Sequence, residues 1–107
     1  MADPVWLMVM FDLPVKTSEQ RNAANAFRNQ LLDLGFSKVQ LSVYAMYFLN
    51  ASQSERVLKK VQSSICAGGA VRVLRFSDAT WSSQKRFEGP GFEKDPEEKP
   101  SQLLLFE

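Results

Sequence analysis

The sequence predicts an α+β sandwich, in which two helices cover one face of a four-stranded antiparallel sheet. Two segments have the apolar spacing of amphipathic helices, and the segments around them are rich in β-branched and aromatic residues. These patterns follow one another in the order strand, helix, strand, strand, helix, strand. A chain of 107 residues is long enough for one domain of this kind with a single core.

The first strand is predicted at the apolar run 5–11, which is followed directly by a carboxylate, Asp12. The run is too short to cross a membrane and has the length of a strand buried on both faces. A helix of about 17 residues should come next, because Thr17 and Gln20 have the spacing of a capping box and Gly35 supplies a stop.

The middle of the chain is predicted to form two strands. Residues 36–49 are rich in β-branched and aromatic side chains and contain neither proline nor glycine. Because this segment is longer than one typical strand, we expect a kink or a tight turn near residues 40–42.

The second helix is predicted to begin at Ser52, which has the spacing of a second capping box with Glu55, and to end at the glycine pair 68–69. The last strand is predicted at residues 70–76. Two arginines interrupt its apolar pattern, which is common in a strand at the edge of a sheet.

This order of elements is the split βαβ arrangement of a ferredoxin-like βαββαβ sandwich, whose second sheet face carries no helices. In the first strand and in residues 43–49, however, the side chains that point to either face of the sheet are apolar. A strand with one face in water would alternate apolar and polar residues. Something should therefore cover the second face. The simplest cover is another copy of the same sheet, so we expect a homodimer that forms through the sheet faces.

The charge is distributed unevenly along the chain. Residues 1–86 carry 11 Lys and Arg against 6 Asp and Glu, whereas residues 87–107 carry 2 against 6, which gives +5 and −4. We expect residues 1–86 to form the ferredoxin-like domain and residues 87–107 to form an acidic linker and tail.

The tail ends in four consecutive apolar residues, which are Leu103, Leu104, Leu105 and Phe106. The linker before them contains three prolines and a run of charge, so it should stay extended. An extended apolar segment of this length most readily adds as a strand to an open sheet edge. We therefore expect these four residues to bind a partner, and the alternative is an end of the chain without a role.

The composition excludes several kinds of chemistry. The chain has no histidine, which excludes Ser-His-Asp and Cys-His catalytic groups and zinc held by histidine. A metal bound here should prefer oxygen ligands, so Mg²⁺ or Mn²⁺ is expected before zinc. The lone cysteine, Cys66, has no disulfide partner within the chain, and the first residues lack the order of a secretory signal. We therefore expect a cytoplasmic protein that is not associated with a membrane.

Asp12 is the main candidate for a catalytic and metal-binding residue. Its alternative role is that of a solvated residue at a strand end that helps to hydrate the start of the next helix. If two sheets pack around a twofold axis, however, two copies of Asp12 can lie close together, and paired carboxylates repel unless a cation lies between them. A magnesium ion at that position would polarise a phosphoryl oxygen.

Several motifs together carry a family resemblance. These are "VMFDLP" followed by a helix, then "GFSKVQLSVYAMYF", a capped helix, Gly-Gly and "VRVLRFSD". Over residues 5–86 they resemble the second of the two universal CRISPR-associated spacer-acquisition proteins, the "Cas-two" family. The "FDLP" and "SVY" segments are most similar to members that accompany type II systems. The most specific match consists of Gly35, Phe36, Lys38, Val39, Gln40, Ser42, Val43 and Tyr44. Lys38 stands where arginine is common, which keeps the charge.

The resemblance implies a ferredoxin-like homodimer that bridges two dimers of a CRISPR-associated integrase and holds double-stranded DNA across its basic surface. It also implies that some members are magnesium-dependent nucleases through the aspartate that aligns with Asp12. Nuclease activity varies within the family and is not needed for spacer integration, so the scaffold and the nuclease stay separate hypotheses. The family further favours a C-terminal tail that helps to hold the integrase.

We therefore expect a DNA-binding scaffold of the CRISPR adaptation complex, with metal-dependent nuclease activity as a secondary property. The first alternative is a metal-dependent endonuclease of the same fold, either a DNase or a toxin-like endoribonuclease. An RNA-binding module is disfavoured, because its third strand should contain glycine and "VYAMYFL" has none. Tyr44 and Tyr47 are expected in the core or in a dimer interface. The candidate phosphate contacts are Lys16, Arg21, Arg28, Lys38, Arg72 and Arg75.

Overall fold

The computed structural model of the chain describes residues 4–93. The elements within this range are β1 Val5–Asp12, α1 Ser18–Leu34, β2 Ser37–Gln40, β3 Val43–Phe48, α2 Ala51–Ser63, β4 Ala70–Phe76 and α3 Asp78–Ser82. The first six follow the predicted βαββαβ order. The sheet has the strand order β2-β3-β1-β4, and every pair is antiparallel. The fold is therefore the predicted ferredoxin-like sandwich, with β1 inside the sheet and β4 at its edge.

The first helix begins and ends where the sequence predicts. The Thr17 hydroxyl accepts a hydrogen bond from the backbone N–H of Gln20, whose side chain accepts one in return from the backbone N–H of Thr17. At the other end Gly35 has a φ of 111°, and its N–H donates to the carbonyls of Leu31 and Leu32. A side chain rarely adopts this backbone conformation, so glycine is the residue that allows the helix to stop there.

The predicted break in the long extended segment is also confirmed. β2 ends at Gln40 and β3 begins at Val43, so that a two-residue turn joins them. Ser42 in this turn has a φ of 61°, and its carbonyl accepts a hydrogen bond of 3.1 Å from the N–H of Phe11. The bond ties the turn to the end of β1.

The second helix differs from its prediction at both ends. Its N-cap is Asn50, whose side chain accepts from the N–H of Gln53, because asparagine is as strong an N-cap as serine and precedes it in the chain. Ser52 instead donates to the Asn50 side chain, and Glu55 forms an ion pair with Arg75. The helix ends at Ser63, before the glycine pair 68–69 that was predicted to stop it.

The core lies between the sheet and the two long helices. Alternate residues of β1 point into it and pack with apolar side chains from both helices. Its buried members from these three elements are Leu7, Val9, Phe11, Ala24, Phe27, Leu31 and Val61. Burial of these side chains supplies most of the driving force for folding.

The alternate residues of β1 that point away from the helices belong to a surface that we call the open face. It consists of Trp6, Met8, Met10 and Asp12 with their register partners Tyr47, Ala45 and Val43 on β3 and Phe76, Leu74, Arg72 and Ala70 on β4. Leu74 is 52% exposed and Tyr47 is 41% exposed, whereas Tyr44 on the helix side is buried.

The short helix α3 covers one end of the open face. The indole of Trp81 stacks on that of Trp6, with ring centroids 4.1 Å apart and an angle of 13° between the planes. The Trp6 Nε1–H donates to Asp78 Oδ1 at 2.8 Å. The face predicted to be bare is thus covered at its Trp6 end, while the stretch from Met8 to Asp12 has no covering element among residues 4–93.

The beginning of the linker is not uniformly extended. The N–H of Phe92 donates to the carbonyl of Gly89 at 3.2 Å, and Gly91 has a φ of 81°. Proline at the second position and glycine at the third are typical of a type II turn, which reverses the chain. The prediction of a fully extended linker therefore needs correction at its start.

The predicted C-terminal strand lies outside the described residues, at Leu103, Leu104, Leu105 and Phe106. Its pairing with a sheet edge stays a prediction. None of the helices within residues 4–93 combines the length and the apolar character that crossing a bilayer requires.

Candidate functional site at the Asp12 end of the sheet

Asp12 is the last residue of β1 and lies opposite Ala70, the first residue of β4. It continues the open face beyond Met8 and Met10, and its side chain is exposed. The turn that contains Ser42 lies at the same end of the sheet, because its carbonyl bonds to Phe11. The carboxylate therefore stands at the rim of an apolar surface, accessible from outside the molecule.

The glycine pair 68–69 helps to place the chain that leaves Asp12. A Cβ on Gly69 would lie 2.7 Å from Leu13 Cδ2, and a Cβ on Gly68 would lie 3.3 Å from Pro14 Cγ. Real Cβ contacts are longer than the first of these distances, so a side chain at position 69 would displace the end of the buried Leu13 side chain. Gly68 also has a φ of 80°, a backbone conformation that other residues rarely adopt. The pair that was predicted to end a helix therefore provides space beneath the residues that follow Asp12.

The loop between β1 and α1 is also held in a defined shape. The guanidinium of Arg21 donates to the carbonyls of Val15 and Lys16, at 3.3 and 3.2 Å. The Gln20 side chain accepts from the N–H of Lys16 at 2.8 Å. These bonds satisfy backbone groups of the loop and leave the Lys16 side chain exposed beside the strand end.

The six predicted phosphate contacts do not share one surface. Arg72 lies on the open face opposite Met10, whereas Lys38 pairs with the buried Tyr44 and so belongs to the helix side of β2. Arg75 is also on the helix side, where it pairs with Glu55. Arg28 bonds to Asn25, and its guanidinium lies 5.9 Å from the centre of the Phe11 ring. The strand register and the helix packing therefore place these basic residues on different surfaces of the molecule.

Sequence reasoning missed three other basic residues, Arg56, Lys59 and Lys60. All three are exposed on α2. Their spacing, three and four residues apart, places them together on one side of a helix, and the apolar residues Val57 and Val61 lie on the other. This spacing was present in the sequence and was the signal that could have identified them.

Comparison with known proteins connects this geometry to a family. The family described as "CRISPR associated protein Cas2" matches residues 5–84, which is most of the chain. The protein belongs to the Cas2 family. The family assignment that the sequence motifs predicted is thus confirmed, while the closer resemblance to type II members stays a prediction.

Two relatives show how far the similarity extends. A "CRISPR-associated endoribonuclease Cas2" of Paracidovorax avenae is 39% identical over 103 residues, which covers 95% of this chain and 94% of the relative. A protein with the same name from Flavobacterium psychrophilum is 35% identical over 102 residues, covering 94% and 85%. The crystal structure of Streptococcus pyogenes Cas2 superposes with a TM-score of 0.60 at 16% identity, over 78% of this chain and 99% of that one. This structure shares the fold.

The described part of the chain offers few ligands for a metal. Within residues 4–93, no three His, Cys, Asp or Glu side chains lie close enough to hold one together. Asp12 is exposed and supplies an oxygen ligand, which fits Mg²⁺ or Mn²⁺, since Mg²⁺ often binds through one or two carboxylates and keeps several waters. Because Asp12 stands on the open face, a second copy that packs against this face would be the source of the second carboxylate.

Proposed function

We propose that this Cas2 protein is a homodimeric, DNA-binding scaffold of the CRISPR adaptation complex, in which it bridges dimers of the partner integrase. The observation that carries the proposal is the open face. A 107-residue chain leaves Met8, Met10 and Leu74 on a sheet surface that only α3 partly covers within the described residues. Apolar surface of this kind is typical of a protein interface.

A second copy is the partner that best fits the open face. A twofold axis buries the same apolar patch on both subunits, and it needs no complementary sequence from another protein. Asp12 and Arg72 both lie at the end of the face that is away from α3, so neither charge stands among Trp6, Met8 and Leu74. The helices remain on the outer sides of such a dimer.

The charge of residues 1–86 supports DNA binding. Residues 1–86 carry a net charge of +5, so a dimer of this part carries twice that charge. The described basic residues lie on helices, strand edges and a loop, where they reach phosphates, and no motif for reading base edges is present in residues 4–93. Binding should therefore be electrostatic and indifferent to base sequence.

This part of the proposal is tested by titrating the full-length protein with two unrelated DNA duplexes of equal length at several salt concentrations. If about 6–10 phosphates are contacted, affinity should fall by roughly 10³–10⁵ between about 50 and 200 mM salt, and equally for both duplexes. A salt-insensitive or strongly sequence-selective interaction would contradict the scaffold function.

A second candidate function is metal-dependent cleavage of nucleic acid. It is favoured by the names of the relatives, which are called endoribonucleases, and by the accessible carboxylate of Asp12. In this function Asp12 and Asp12 of the partner subunit would hold Mg²⁺ or Mn²⁺. The metal would supply Lewis-acid polarisation of a phosphoryl oxygen. The chain itself would fix the carboxylate in place through β1 pairing and the Leu13 contact with Gly69.

One variant distinguishes the scaffold function from the nuclease function. Asp12→Asn should abolish magnesium-dependent cleavage of RNA or DNA while leaving the dimer and its DNA affinity unchanged, because the amide keeps the shape of the side chain and loses its charge. Asp33→Asn, at an exposed position on α1, is the matched control and should cleave like the parent protein. Cleavage by Asp12→Asn at the parental rate would place the nuclease site elsewhere.

The C-terminal segment is proposed to contact the integrase, as a strand added to an open sheet edge. This role is supported by four consecutive apolar residues within an acidic tail. These residues are Leu103, Leu104, Leu105 and Phe106. Deleting residues 101–107 should leave the dimer folded but weaken integrase binding and spacer integration. Equal integrase affinity of the truncated and full-length proteins would refute this role.

A further inference from the structure

The exposed side of α2 carries a compact group of positive charges, which we call the α2 cationic ridge and define as Arg56, Lys59 and Lys60. These residues lie opposite the side of the helix that enters the core, where Val61 is 2% exposed and Val57 is half-buried. Residues three and four positions apart on a helix are neighbours, so the three cations form one patch.

The acid nearest to the ridge along α2 is already engaged in an ion pair with another element. The carboxylate of Glu55, one turn before Lys59, is bonded to Arg75 of β4. Neither of the ion pairs found within residues 4–93 includes Arg56, Lys59 or Lys60. Arg56 and Lys60 stand four residues apart, a spacing at which like charges destabilise a helix.

The ridge lies on the layer of the molecule opposite the open face. α2 packs on the side of the sheet that contains the core, whereas Asp12, Met10 and Leu74 face the other way. A dimer formed through the open face would leave the ridge of both subunits accessible. It is therefore available to a third partner at the same time as the dimer interface is occupied.

We infer that the α2 cationic ridge binds the phosphate backbone of nucleic acid, as a contact surface separate from the Asp12 end of the sheet. This inference rests on the proposed DNA-binding function and names residues for it. Lys and Arg reach phosphates as point charges and as planar forks, without reading bases. The exposed neighbours Gln53 and Gln62 are neutral, and their side-chain amides can donate hydrogen bonds to phosphate oxygens.

The composition of the ridge favours nucleic acid over an anionic membrane. A helix that binds in a membrane interface presents large apolar residues next to its cations. On α2 the apolar residues Val57, Leu58 and Val61 are turned toward the sheet and are buried or half-buried. The exposed residues beside the ridge are polar, namely Gln53, Glu55, Gln62 and Ser63. Electrostatic attachment to an extended polyanion is therefore the interaction that this surface fits.

The test compares two full-length variants with the same change in charge. Lys59→Gln/Lys60→Gln removes two cations from the ridge, and Lys85→Gln/Arg86→Gln removes two from the exposed segment after α3. Affinity for one DNA duplex is measured against salt concentration for both variants and the parent. The ridge variant should bind more weakly and lose about 1 unit of salt slope for each phosphate contact removed, whereas the control should lose less. Lys59→Arg/Lys60→Arg should bind like the parent.

Each outcome decides between explanations. A parent protein that fails to bind DNA overturns the proposed function itself. A parent that binds, with equal salt slopes for the ridge variant and the control, overturns this inference alone. A ridge variant with a lower unfolding temperature and an unchanged salt slope would show that the cations only stabilise the carboxyl end of α2, which also overturns it. The ridge variant could also lose binding to phosphatidylserine vesicles while keeping the DNA affinity of the parent. That result would identify the ridge as a membrane-binding surface and would overturn the inference.

Discussion

The two faces of the sheet have similar apolar character in sequence but different environments in the structure. On the helix side, Leu7, Val9 and Phe11 are buried beneath α1 and α2. On the open face, Met8 and Met10 are only half-buried and Leu74 is 52% exposed, and only the Trp6 end is covered by α3. The difference shows that the covered face holds the subunit together, while the open face has apolar surface that is free for association.

The largest expected effect comes from the helix-covered face. Phe27 is 2% exposed and meets Phe11 edge to face, with ring centroids 5.2 Å apart. Phe27→Ala should lower the free energy of unfolding by about 3–5 kcal/mol, because it leaves a cavity between α1 and the sheet. Phe87→Ala, at a side chain that is 87% exposed, should change it by less than about 0.5 kcal/mol. Urea unfolding of both variants measures the difference, and similar losses would contradict the described core.

A smaller effect is expected just beyond the end of β1, at the glycine pair beside the buried Leu13. A methyl group on Gly69 would lie 2.7 Å from Leu13 Cδ2 and 3.2 Å from the carbonyl oxygen of Cys66. Gly69→Ala should therefore cost about 1–3 kcal/mol in free energy of unfolding, since overpacking forces neighbouring atoms to move.

Gly89→Ala is the control for that variant. Nothing lies within 4 Å of a Cβ at this position, so the expected change in the free energy of unfolding is close to zero or slightly stabilising. If Gly69→Ala were as stable as the parent, Leu13 would not need the glycine, and the account of how Asp12 is placed would be wrong.

The smallest expected effect tests the partial cover of the open face. Trp81→Ala removes the ring that stacks on Trp6 and should cost about 1–2 kcal/mol, part of which is the aromatic pair itself. Asp78→Ala keeps the stacked rings and removes the 2.8 Å hydrogen bond from Trp6, so a loss of about 0.5–1.5 kcal/mol is expected. Thermal unfolding monitored by tryptophan fluorescence reports both. An unaltered unfolding temperature for Trp81→Ala would mean that α3 does not cover the face in solution.

The sequence predicted most of the fold because its signals are local. Thr17, Gln20 and Gly35 fix α1 through contacts within a few residues of one another, and the turn at residues 41–42 follows from strand length. The start of α2 was placed wrongly because Asn50 and Ser52 are both good N-caps, and only the hydrogen bond to Gln53 decides between them. Trp6 and Trp81 are far apart in the chain, so no local pattern reveals their stacking.

The candidate site was predictable only in part. The exposed position of Asp12 at a strand end follows from the apolar run before it and the proline after it. The faces of Arg72 and Arg75 depend on the register of β4 against β1, and the sequence does not specify that register. The role of the glycine pair 68–69 required the position of Leu13, which is more than fifty residues away in the chain. Whether this end of the sheet binds a metal stays a prediction, because a second copy is needed to complete it.

The most direct test of the central claim is the oligomeric state of a variant on the open face. Leu74→Glu places a charge beside Met8, and Ile65→Glu places the same charge on the helix layer, beyond the end of α2. Sedimentation equilibrium at micromolar concentration should show a dimer for the parent and for Ile65→Glu, and a folded monomer for Leu74→Glu. A Leu74→Glu protein that dimerises as tightly as the parent would contradict the claim that the open face joins two subunits.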